Sequence, residues 1–137
     1  MAITFTYDDG WDGNGERGRI TKVSAAFTAT TTAAFTGTTQ KLVGTLRHAI
    51  ATGTSGLTAN WDAQVKNADS FDVLTECKEG LLNLSASGTV DRYFYIQPSS
   101  SLVDGIGMSP SVCGPLTLSI SNHGSGAVGQ IDLYLER

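Results

Sequence analysis

Apolar side chains recur at every second position in segment after segment of this chain. In a pleated strand, successive side chains point to opposite faces, so each such set gives its segment one apolar face. Ile3, Phe5 and Tyr7 form the first set, and Val23, Ala25 and Phe27 the next. Leu42, Leu46 and Ile50 continue the pattern, with Gly44 and His48 between them on the same face. Trp61, Ala63 and Val65 follow, then Leu116, Leu118 and Ile120, and finally Ile131, Leu133 and Leu135. Turn-forming pairs separate the sets: Asp9-Gly10, Asp12-Gly13, Asn14-Gly15, Asp104-Gly105 and the run from Asn122 to Gly129. Ile20 is out of phase with Val23, and a bulge near Lys22 would reconcile the two. Thr28 to Thr39 is Thr-rich and β-branched, which suits exposed strand or loop. Thr75 to Leu84 lacks an apolar stripe and predicts a turn of helix at most. About eight strands without helix-length patterns between them imply antiparallel pairing. The predicted fold is all-β, an antiparallel β-sandwich or jelly roll, with residues 1–137 forming one domain.

Composition narrows the function. The chain is 40% hydrophobic and only 16% charged, which excludes disorder and argues against a helical bundle with charged outer faces. The formal net charge is −4 and the basic residues Arg17, Arg19, Lys22 and Lys41 are scattered among acids, so no nucleic-acid partner is expected. No apolar run approaches the roughly 18 residues of a membrane helix. Met1 to Gly10 has neither a basic start nor an apolar run, so no signal peptide is expected there and the protein is expected to start its life in a cytoplasm. Cys77 and Cys113 would be reduced there and serve as small buried packing residues.

Motifs that would carry chemistry fail on context. Gly124 to Gly129 reads G-S-G-A-V-G, but a dinucleotide site needs that string between a strand and a helix, with an acid about 20 residues on. A strand pattern follows instead, so the string is read as a hairpin turn. Asp8, Asp9, Asp12, Asn14 and Glu16 form an acidic loop, yet Gly10 and Arg19 occupy positions where a calcium loop needs ligands. His48, Cys77, Cys113 and His123 show no zinc-ligand spacing, and no nucleophile elbow accompanies the histidines. His48 is read as a partly buried residue with its bonds met. No catalytic residue, cofactor site or metal site is therefore assigned, and the chain is expected not to be an enzyme. Aromatic and apolar residues that would suit a contact surface are Trp11, Tyr93, Tyr95, Ser99, Leu102, Val103, Ile106 and Met108. Tyr93 and Tyr95 share one face, opposite Phe94 and Ile96. Ser99 to Gly107 reads as a long loop.

Two passages carry a resemblance. Trp61 to Leu74, W-D-A-Q-V-K-N-A-D-S-F-D-V-L, is similar to a strand-turn-strand passage in small phage virion proteins, with its aromatic-Asp start, polar turn and Asp-Val-Leu close. Cys113 to Glu136, with P-L-T-L-S-I-S-N, a glycine turn and I-D-L-Y-L, looks like their closing hairpin, and Gly18 to Ile50 fits the same layout more loosely. The resemblance implies a head decoration or cement protein that binds the major capsid protein, commonly as a homotrimer, in a virion assembled in the host cytoplasm. It carries over no catalytic residue. The N-terminal segment and Ser99 to Ser111 are the expected contact regions. A tail, connector or fibre-associated subunit is the alternative within the same class. A carbohydrate-binding module using Trp11, Trp61 or Tyr95 as platforms is the alternative outside it.

Overall fold

The computed structural model describes residues 2–9, 20–76, 81–93 and 111–137. Among the described residues the alternating segments form ten antiparallel strands: β1 (Ala2–Asp8), β2 (Ile20–Thr28), β3 (Phe35–Thr38), β4 (Leu42–Ser55), β5 (Trp61–Lys66), β6 (Leu81–Leu84), β7 (Gly88–Tyr93), β8 (Ser111–Gly114), β9 (Thr117–Ser121) and β10 (Val128–Glu136). They build two sheets. The larger runs β1-β2-β10-β4-β7, with β8 also pairing β4, and the smaller runs β3-β9-β5-β6. The fold is an all-β sandwich, as the periodicity predicts, with two more strands than the turn signals mark out.

The core forms where the alternating sets face one another. In the larger sheet, Val23 and Ala25 lie opposite Leu133 and Ile131. In the smaller, Ala63 and Val65 lie opposite Ile120 and Leu118. All of these are buried, as are Phe27, Leu46, Leu81 and Trp61. Fully burying a side chain of this size stabilises the fold by about 1.5–3 kcal/mol relative to leaving it exposed. The inter-sheet space is filled by rings: Phe27 lies 5.7 Å from Trp61 and 5.9 Å from Phe35, centroid to centroid. Gly129 makes room for this. A Cβ there would sit 2.6 Å from the Phe27 ring and 2.9 Å from the Thr52 carbonyl oxygen.

β4 departs from the expected phase. Tyr134 pairs with His48, but Leu135 pairs with Leu46, so Arg47 is an extra residue in the strand. An inserted residue exchanges the faces of everything beyond it. Leu42 and Leu46 face the core before the bulge, and Ala49 and Ala51 take over after it. His48 and Ile50, expected beside Leu46, therefore lie half-buried on the outer face. The bulge expected near Lys22 is not there: β2 pairs with β1 and β10 without a register shift. Thr21 takes the inward position instead of Ile20, and its Oγ1 donates to Asp9 Oδ1 at 2.9 Å. A satisfied hydroxyl makes the buried position tolerable.

Two expected hairpins resolve differently. β9 lies in the smaller sheet and β10 in the larger, so the glycine turn between them crosses from sheet to sheet. Asn122, Gly124 and Gly126 adopt φ of 56°, 79° and 74°, conformations that Gly and Asn tolerate best. Gly129 belongs to β10 and not to the turn. After β5, Asn67 Oδ1 accepts from the backbone N–H groups of Asp69 and Phe71, each at 3.0 Å, and so builds the polar turn. The strand expected beyond it shrinks to a single Lys66–Asp72 bridge before a 3-10 turn at Val73–Glu76. The helical turn thus ends near the start of Thr75 to Leu84, and Leu81–Leu84 is strand.

Candidate interaction face

The outer face of the larger sheet follows from register alone. The row Asp8, Lys22, Tyr134 and His48 crosses β1, β2, β10 and β4, and Tyr93 of β7 stands opposite His48. The Lys22 ammonium lies 5.7 Å from the Tyr134 ring centroid. The His48 ring stacks on the other side of that row, 5.2 Å from Tyr134 at an interplanar angle of 25°. A cation over an aromatic face is worth roughly 0.5–1 kcal/mol at an exposed site. Beyond the row, Arg47 Nε donates to Glu136 Oε2 at 3.0 Å, with both side chains about a third exposed (37% and 30%). Asp132, flanked on the central strand, is buried and accepts from Gln130 Nε2 at 2.8 Å. The result is a mixed-charge surface with an aromatic strip.

Elsewhere the outer faces carry many short hydroxyl side chains among longer polar ones. On the smaller sheet Thr36, Ser119 and Gln64 form one row, and Thr38, Thr117 and Lys66 the next. The Thr38 and Thr117 hydroxyls meet at 3.0 Å. On the larger sheet Thr4 and Thr6 stand beside Ala26 and Ser24.

His123 does structural work. It is fully buried, with Nε2 2.9 Å from the Ala33 carbonyl oxygen and Nδ1 2.6 Å from that of Gly124. Carbonyl oxygens only accept, so both ring nitrogens are directed at backbone and neither is directed at a substrate. Its ring also meets Phe35 edge-on at 5.1 Å. Trp61, a sugar platform in the carbohydrate reading, is 1% exposed and its Nε1 donates to the Ser85 carbonyl at 2.8 Å. That removes it as a stacking surface. Cys113, expected in the core, is exposed on β8 opposite Val43, itself 65% exposed. The expectation fails because β8 joins the larger sheet with Val112 facing inward.

Two shallow clefts flank these features. One, of about 180 Å³, lies between Asn67–Asp69 and Cys113–Pro115. The other, of about 250 Å³, is lined by Asp9, Thr21, Lys41 and Arg137 among others. Among the described residues no group of three or more His, Cys, Asp or Glu side chains converges as a metal site. No helix among them is long and apolar enough to cross a membrane.

Of the contact residues expected from sequence, Tyr93 falls at the end of β7, in register with His48. Trp11, Tyr95, Ser99, Leu102, Val103, Ile106 and Met108 lie outside the described residues, as do Cys77 and most of the acidic loop. The structure adds Lys22, His48 and Tyr134. Tyr134 was legible, since it alternates with Leu133 and Leu135; His48 was not, because its face depends on the bulge at Arg47. No family model and no curated protein matches this chain.

Proposed function

We propose that this protein is a structural component of a phage particle, a trimeric subunit that decorates or cements the capsid by binding the major capsid protein. The observation that carries the reading is the make-up of the two outer faces. Thr, Ser and Ala hold many of the outward positions, among them Thr4, Thr6, Ser24 and Ala26 on the larger sheet and Thr36, Thr38, Thr117 and Ser119 on the smaller, over a core packed with aromatic and branched residues. Short side chains have little rotamer freedom to lose. Ordering a long flexible side chain at an interface costs about 0.5–1.5 kcal/mol, and these positions avoid that cost. A rigid sandwich with such faces binds through many small contacts, and three linked copies raise avidity without new chemistry. The strip at Lys22, Tyr134 and His48 supplies one contact region. Residues 99–111, of which all but Ser111 lie outside the described part, supply another.

A density map of the purified particle tests this. The expected result is a sandwich of this shape on the outside of the shell, around three-fold positions. Density confined to the tail or connector, or missing from the particle, overturns the capsid reading. Removing residues 99–107 is expected to lower shell occupancy, and unchanged occupancy takes that segment out of the contact.

A further inference from the structure

We infer that β1 is a self-pairing edge, through which two copies of this chain join their larger sheets around a two-fold axis. This goes beyond the capsid reading and does not depend on it, because it concerns the protein alone in solution.

Edge strands present unpaired backbone groups to solvent, and proteins usually shorten, bulge or charge them. Most edges of this sandwich are treated in that way. β3 is four residues long. β6 is also four, breaks register with β5, and holds Asn83 at a φ of 54°. β7 and β8 divide the far side of β4 between them, and β7 carries Asp91 and Arg92. β1 is different. It runs seven residues, A-I-T-F-T-Y-D, pairs with β2 without a shift, and has no Pro, Gly or charge before Asp8. Among the described residues no strand pairs its other side.

Its inward side chains are also unfinished. Ile3, Phe5 and Tyr7 pack against the core yet remain only half-buried. They lie over β3, where a Cβ on Gly37 would sit 2.9 Å from Ile3 Cβ and 3.2 Å from the Phe5 ring. The edges of both sheets therefore come together on this side, with apolar surface in the opening.

The sequence of β1 matches itself. A two-fold centred on Phe5 sets Phe5 against its own copy, Ile3 against Tyr7, Thr4 against Thr6, and Ala2 against Asp8. These are the aromatic, aromatic–β-branched and Thr–Thr pairs that antiparallel strands favour, and no like charges meet. An antiparallel pair of identical strands has the two-fold symmetry that closed dimers use. If the protein is also a trimer, two-folds perpendicular to its three-fold axis join one trimer to one other through the same edges, so the contact doubles the mass in either case.

Two experiments on the full chain test this. In a Cys77→Ser/Cys113→Ser background, Thr4→Cys with Thr6→Cys places thiols directly across the two-fold, whereas Thr4→Cys alone does not. Oxidation is expected to give a covalent pair with the double cysteine variant and little with the single one. By light scattering at high protein concentration, the parent is expected to have twice the mass of Thr4→Lys/Thr6→Lys, in which lysines oppose each other. Both threonines are exposed, so the fold should survive. Should circular dichroism show that the lysine variant has lost it, the cysteine experiment decides alone. Equal masses with a folded lysine variant, or equal cross-linking by the single and double cysteine variants, overturns the proposal.

Discussion

Phe27 and Phe5 sit on neighbouring strands and are buried to different degrees. Phe27, on β2, is 2% exposed, with Trp61 on one side and Phe35 on the other. Phe5, on the adjacent β1, points the same way and is half-buried. The difference lies in position. β2 has a neighbour on each side and the smaller sheet above it, while β1 has a neighbour on one side only. The lesson is that alternation marks which face is apolar, and the number of flanking strands decides how completely that face is covered. The covered end stabilises the fold; the edge at β1 is where the proposed self-pairing would add the missing neighbour.

The largest effect should come from emptying the covered end. Trp61→Ala removes a fully buried ring and its bond to Ser85, and should cost about 3–5 kcal/mol in urea unfolding. His123→Leu keeps the volume but strands the carbonyls of Ala33 and Gly124, for about 1–3 kcal/mol by the same measurement. Phe5→Ala, at the open edge, should cost about 1–2 kcal/mol in dilute protein, since only part of the ring leaves an apolar site. A loss as great as that of Trp61→Ala would erase the distinction between the two regions. The smallest change is Arg47→Ala. Its pair with Glu136 is partly exposed, so the expected loss is below about 1 kcal/mol and shrinks further in high salt.

Much of the architecture was legible because burial of one face leaves a mark at every second residue. Val23 to Phe27, Trp61 to Val65, Leu116 to Ile120 and Ile131 to Leu135 are core strands in the positions their patterns give. What failed to show are single backbone events. The extra residue at Arg47 carries no composition signal, yet it moves His48 and Ile50 to the other face. A Gly- and Asn-rich turn serves a hairpin and a crossing between sheets equally well, so the passage from β9 to β10 could not be told apart beforehand. Asp9 explains Thr21 only once both are placed, and the exposure of Cys113 depends on which sheet β8 joins. Of the contact surface, the sequence pointed to other aromatics, and the strip around Tyr134 was not named from it, although the alternation of Tyr134 with Leu133 and Leu135 places that ring on the outer face.

β10 lies between β2 and β4, in the middle of the larger sheet, yet it follows every other described strand in sequence. A ribosome therefore makes the keystone after everything it must join. Until those residues emerge, β2 and β4 have no shared neighbour, and closing the sheet requires contacts across almost the full sequence. Such non-local closure folds slowly, on the order of milliseconds to seconds. Newly made chains spend that interval with sticky edges bare, so the yield of soluble product should depend on temperature and on chaperones.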